Sequence, residues 1–134
     1  MNQVEVDEKL AAGEHGILAL ADGSDAYAIP LSYHYDDERL LLRVSEHDRS
    51  EKQQFLETTD TATFVCYEGT TRESWSIHVR GTVREWKRDV DDATINDWFP
   101  PFRLFDEAIE DVEFVLYELE MDVCLGRKTI KSTP

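Results

Sequence analysis

AYAIPLSYHY, residues 26–35, is the stretch whose reading decides the fold. Taken by twos, it puts Tyr27, Ile29, Leu31, Tyr33 and Tyr35 on one side and Ala28, Pro30, Ser32 and His34 on the other. That is the period of a half-buried β-strand. Pro30 has no N–H to give to a ladder, so the strand lies at an edge or carries a bulge. Upstream, HGILALA (His15–Ala21) is an apolar run of the buried-strand kind, followed by the turn cluster Asp22-Gly23-Ser24-Asp25. Downstream, Asp36-Asp37-Glu38 turns the chain into a third strand, RLLLRVS (Arg39–Ser45).

The rest of the chain continues in kind. TATFVCYE (Thr61–Glu68) predicts a fourth strand, and Gly69-Thr70-Thr71 turns into a long fifth one from Ser74 to Trp86, with Gly81 as a bulge. The last strand alternates Val115, Tyr117, Leu119, Met121, Val123 and Leu125 with Glu118, Glu120 and Asp122. Helices are short. A weak one runs from about Glu5 to Ala12 and stops at Gly13. Another is capped by Asp48 and Glu51, and sets Lys52, Phe55, Leu56 and Thr59 on one face. A third runs from about Val90 to Phe99 and halts at Pro100-Pro101. Six strands, turn-rich connections and short helices predict a mainly β chain folded as a small antiparallel barrel.

Composition narrows the class. With 134 residues, and without repeats or linkers, the chain is expected to form one domain over residues 1–134. Its 29 acidic and 14 basic residues give a net charge of −15, which repels nucleic-acid phosphates and anionic lipids. Acids spread along the whole chain point to a halophilic setting, where salt screens their mutual repulsion. No apolar run is long enough to span a membrane, and the acidic MNQVEVDEKL start is unlike a signal peptide, so the expected location is cytoplasmic. Cys66 and Cys124 sit among apolar residues and read as small core side chains.

A catalytic constellation is hard to find. No nucleophile elbow, P-loop or dinucleotide glycine fingerprint is present. His15, His34, His47 and His78 lack ligand spacing, although His34 and His78 could face each other across strands, so no metal is expected. The informative segment is Arg43–Lys52. Arg43 and Ser45 project from one face as their strand ends, and the chain then enters a helix whose first turn carries Arg49, Ser50 and Lys52. Exposed backbone N–H groups at a helix start, with cations beside them, suit an anion. The stem of Lys52 shares the face of Phe55 and Leu56 and should lie against the protein. Arg127, Lys128 and Lys131 form a basic tail after the last strand.

These motifs, in this order, resemble the pyridoxamine 5′-phosphate oxidase-like FMN-binding split barrels. The nearest branch looks like the small nitroimidazole-resistance-type proteins and their relatives from salt-adapted microbes. Gly16–Ala19, Ala26–Tyr33, Leu40–Ser45, Lys52, Trp75–Gly81 and Tyr117–Lys128 carry the likeness across nearly the whole chain. The resemblance implies a six-stranded antiparallel split β-barrel that binds FMN at a homodimer interface and acts on a small-molecule redox substrate.

Position by position, it implies that Ile29, Pro30, Leu31 and Ser32 run along the isoalloxazine ring. Arg43, Val44, Ser45 and Lys52 would hold the ribityl-phosphate end, and Trp75 and Ser76 would approach from the fifth strand. Arg127 and Lys128 are then a second phosphate contact, with some contacts supplied by the second copy. Two departures matter: Arg43 stands where relatives often carry His, and Glu51 stands where the oxidases place an Arg. The acid argues against oxidation of pyridoxamine phosphate itself, as does the short C-terminal segment. Two alternatives to a flavoenzyme remain at this point, a flavin-free binding or structural module and a barrel for a deazaflavin or haem.

Overall fold

The computed structural model describes residues 1–36, 39–45, 49–87, 92–99 and 114–130. Residues 26–35 fall within a strand, as their alternation requires, and the elements follow in the expected order. These are α1 (Gln3–Ala12), β1 (His15–Asp22), β2 (Asp25–Tyr35), β3 (Leu40–Ser45), α2 (Arg49–Thr58), β4 (Ala62–Gly69), β5 (Glu73–Glu85), α3 (Asp92–Trp98) and β6 (Phe114–Ile130). The strands close into an antiparallel barrel in the order β1-β2-β3-β6-β5-β4.

Two glycines make the closure possible. Gly23 has φ 61°, the left-handed conformation a tight β1–β2 turn needs. Gly81 marks a register shift in the β5–β6 ladder, and a side chain there would collide with the Glu120 carbonyl. Pro30 pairs with Ile17 of β1, whereas β3 joins β2 only from Ser32 onward. The first half of β2 therefore has one ladder partner among the described residues, and proline is tolerated there.

Inward residues of all six strands make the core. Leu18, Leu20, Tyr33, Leu40, Leu42, Phe64, Ile77, Val79 and Leu119 are all 2 % exposed or less. Tyr33 meets Phe64 edge to face at 5.0 Å. The barrel has a helix at each end. On one, α1 buries Val6 and Leu10, and it starts earlier than expected because Asn2 and Glu5 form a capping box. On the other, α2 buries Phe55 and Leu56, with Tyr27 stacked on Phe55 at 5.1 Å. Thr59 fastens α2 to β1 by exchanging hydrogen bonds with the backbone of Ala21, each 3.1 Å.

The third helix lies outside the barrel, against β2 and β3. Trp98 stacks on His34 with ring centroids 5.0 Å apart, and Leu41 and Phe99 are buried beneath α3 rather than in the main core. His34 thus does not face His78. The neighbours of β2 are β1 and β3, so His34 sits opposite Leu41, while His78 lies between Val65 and Leu125. The basic tail also needs correction. β6 runs to Ile130 and pairs with β5, which makes Arg127 and Lys128 strand residues; Lys131, Asp48 and Pro100-Pro101 lie outside the described residues. Among the described residues, no helix is long and apolar enough to cross a membrane.

Candidate functional site

Where β3 ends at Ser45 and α2 begins, the chain buries a cation. Lys52 is 8 % exposed, and its Nζ donates to the Ser45 carbonyl at 3.3 Å. Lysine is almost never buried without compensation, because desolvating an ammonium is expensive. Ser32 is 4 % exposed. Tyrosines and cysteine aside, Ser32 and Lys52 are the buried polar side chains among the described residues.

Both border the same hollow. It is lined by Ile29–Ser32 of β2, Arg43 and Ser45 of β3, Lys52 of α2 and Phe114 of β6. Arg43 is held by aromatic rings: its guanidinium lies 3.7 Å from the Phe114 ring centre and 5.9 Å from that of Phe99, and it donates to the Phe99 carbonyl at 3.5 Å. Its Nε is buried without a hydrogen-bond partner among the described residues. Burial lowers the Arg43 pKa, yet a guanidinium stays charged at any physiological pH. Ser45 and Lys52 also border a second hollow at the barrel mouth, with Val44, Gln53, Leu56, Glu85, Val115 and Tyr117 as its other walls. Seven of the residues expected to meet a ligand, Ile29, Pro30, Leu31, Ser32, Arg43, Ser45 and Lys52, therefore share one hollow, and Val44 lines the next.

The other four lie elsewhere. Trp75 pairs with Lys128 and Ser76 with Arg127, on the far halves of β5 and β6. Roughly 45 Å of strand, at ~3.3 Å per residue, separates Phe114 from Lys128 along β6. Trp75 and Lys128 line a hollow under α1, where Lys9 sits over the indole at 5.5 Å and Lys128 Nζ meets Glu5 Oε2 at 2.6 Å. That hydrogen bond holds the Glu5 carboxyl below the usual carboxylate range. One chain does not bring the two groups together. Phe114, Gln53, Glu85 and Tyr117 are wall residues that sequence reasoning missed, since they reach the hollows through the β3–β6 and β5–β6 registers or from the far side of α2. Arg49 and Ser50 begin α2 as expected, but their side chains lie outside the described residues.

Among the described residues there is no group of three His, Cys, Asp or Glu able to hold a metal ion. The buried Cys66 thiol is pushed up to about 11 by desolvation, so it is protonated and unreactive near neutral pH.

Several solved structures share the fold. An FAD-binding protein from Mycobacterium smegmatis superposes with a TM-score of 0.71 at 14 % identity, over 96 % of this chain and 98 % of its own. A candidate 5-nitroimidazole antibiotic resistance protein from Bacteroides thetaiotaomicron gives 0.66 at 16 % identity, over 95 % and 83 %. A haem-binding protein from M. smegmatis gives 0.64 at 15 % identity, over 97 % of this chain and 58 % of its own. One fold thus serves different ligands, and only the site can choose among them. No curated protein sequence matches the chain. The family model of pyridoxamine 5′-phosphate oxidase matches residues 2–128, and with its six-stranded barrel the chain belongs to that family.

Proposed function

We propose that the chain binds FMN in the hollow between β2, β3 and α2, and acts as a homodimeric flavin-dependent oxidoreductase on a small-molecule substrate. The observation that carries this reading is the burial of Ser32 and Lys52 at one hollow. The donor set fits the cofactor. Lys52, the Ser45 hydroxyl and the start of α2 suit a phosphate, and Arg43 adds a charged donor held in place by Phe114 and Phe99. The half of β2 that carries Ile29, Pro30 and Leu31 offers backbone groups to the edge of a flat polar ring. Bound FMN supplies the redox chemistry; the residues of the chain orient it, exclude water and set its charge environment. No histidine lines this hollow, and His34 is committed to its stack on Trp98, which favours flavin over haem.

Pairing has its own support. The ladders align Ile17, Val65, His78 and Leu125 in a row across β1, β4, β5 and β6, on the outer face of the barrel. Tyr67, Leu125 and Val123 beside them are 71 %, 58 % and 46 % exposed. Large apolar side chains clustered on a surface mark an interface. The patch adjoins the flavin hollow, because Pro30 and Tyr67 border a common depression. A second copy on this face would present its Ser76 and Arg127, which point outward from the same strands, near the cofactor, contacts that one chain cannot supply.

Purification in molar salt, with a visible spectrum and light scattering, tests the proposal. A yellow protein that releases FMN on denaturation and has twice the mass of the chain is expected. A colourless protein that takes up no added FMN, or one with a haem absorption band, would overturn it.

A further inference from the structure

The outer sheet face offered to a second copy differs in charge from the rest of the chain. The ladders set a row on either side of Ile17, Val65, His78 and Leu125. One holds Ala19, Thr63, Arg80 and Val123. The other holds Tyr67, Ser76 and Arg127, with His15 beside Tyr67 at a common depression. None of these residues is acidic, although the chain has 29 acids and a net charge of −15. Arg80, Arg127, His15 and His78 are the exposed bases of the face. Along β6 the acids resume at the bulge, where the ladder skips Asp122 and Arg84 meets Glu120 at 3.5 Å.

His78 stands in the middle. Val65 of β4 and Leu125 of β6 flank it. Thr63 and Tyr67 are diagonal to it on β4, Val123 and Arg127 on β6, and Ser76 and Arg80 share its side of β5. The charged and titratable groups facing it across the ladders are thus Arg80, Arg127 and Tyr67, with no carboxylate among them. His15 lies at the margin, opposite Ser32 of β2, with Pro30 and His34 diagonal to it. An imidazolium on this face is solvated while the face is open and stripped of water beside two arginines once it is covered. In a two-fold pair every such charge enters the interface twice.

Resting on the pairing proposed for this face, we infer that protonation of His78, aided by His15, opens the dimer, so that the two copies part as the medium turns acid. Histidine changes charge between about pH 5 and 8. The acidic remainder of the surface acts with the opposite sign, since protonating carboxylates lowers the repulsion between copies, but ordinary carboxylates titrate near pH ~4. Histidine therefore decides the response near neutrality. Parting also withdraws Ser76 and Arg127 from the other copy's cofactor, which makes acid a signal for flavin release.

Sedimentation equilibrium of the full chain at about pH 8 and about pH 6, in the same salt, tests this. The dimer dissociation constant should rise about tenfold or more at the lower pH. His78→Gln should remove most of that rise and His78→Gln with His15→Gln all of it, while His34→Gln, beneath α3, should leave it intact. Thermal melts confirm that the variants are folded. A dimer equally tight or tighter in acid, or a rise that survives the double substitution or is lost in His34→Gln, would overturn the switch and leave pairing standing. A monomer at both pH values would instead overturn the pairing itself.

Discussion

The two ends of the barrel are built from similar parts and do different things. At the α1 end, polar groups close on one another: Tyr33 donates to the Leu10 carbonyl at 2.8 Å, Tyr35 to Asp7 at 2.7 Å, and Lys128 meets Glu5 at 2.6 Å. At the α2 end, Lys52 reaches a backbone carbonyl at 3.3 Å, two hollows open beside it, and Arg43 keeps a buried N–H without a partner among the described residues. Both ends place a lysine near a hollow. The first closes it on its own carboxylate; the second buries it against a backbone carbonyl with hollows open on either side. A satisfied end stabilises, and an end with capacity left over binds.

That contrast can be broken by mutation. The largest effect is expected at the closed end. Leu10→Ala removes a fully buried side chain and should cost about 2–5 kcal/mol in denaturant unfolding, with flavin affinity of the folded fraction unchanged. A parallel loss of flavin affinity would show that the ends are coupled. At the open end, Lys52→Met keeps the stem and removes the charge. It should weaken flavin binding by about 1.5–3 kcal/mol while the melting temperature holds or rises; unaltered affinity would put the phosphate elsewhere.

Lys128→Met sharpens the comparison. Its half-exposed ion pair with Glu5 adds little to folding, so the melt should barely move. If Lys128 reaches the cofactor of a second copy, flavin affinity should fall along with dimer stability, and a change in neither would confine it to the closed end.

The smallest effect is at His34. Burial beneath α3 and, less strongly, Arg39 push its pKa below the ordinary 6.5, while Asp36 pulls the other way. The folded chain then takes up that proton less readily than the unfolded one. The contribution is complete above the unfolded value and is lost as pH falls through the folded one. His34→Gln should accordingly flatten the decline of melting temperature below about pH 6.5, and an unchanged slope would assign that decline to other groups.

Sequence reasoning went furthest where the information is local. Alternation, or apolar runs between turn residues, located all six strands, and Gly81 identified the bulge from its isolation within β5. Residues 29–32 and 43–52 are close in sequence, and their strands meet at the Ser32–Arg43 pair, so their meeting could be anticipated. What stayed hidden depends on register between distant strands. Nothing near Arg43 announces that Phe114 will lie beneath it, and nothing near Trp75 reveals that Lys128, not Lys52, is its neighbour. The capping box was a different kind of miss: the Asn2-x-x-Glu5 spacing was present, but without the run of apolar residues that normally confirms it.

The open half of β2 has one more consequence. Among the described residues that edge is unpaired, and a strand edge beside exposed apolar side chains is where another chain adds in register, the first step of β-aggregation. Pro30 removes one donor from that edge, and a bound flat ring would cover its neighbours. Cofactor loss should therefore appear first as poorer colloidal behaviour, before any change in melting temperature, making the ligand a guard against self-association as well as a reagent.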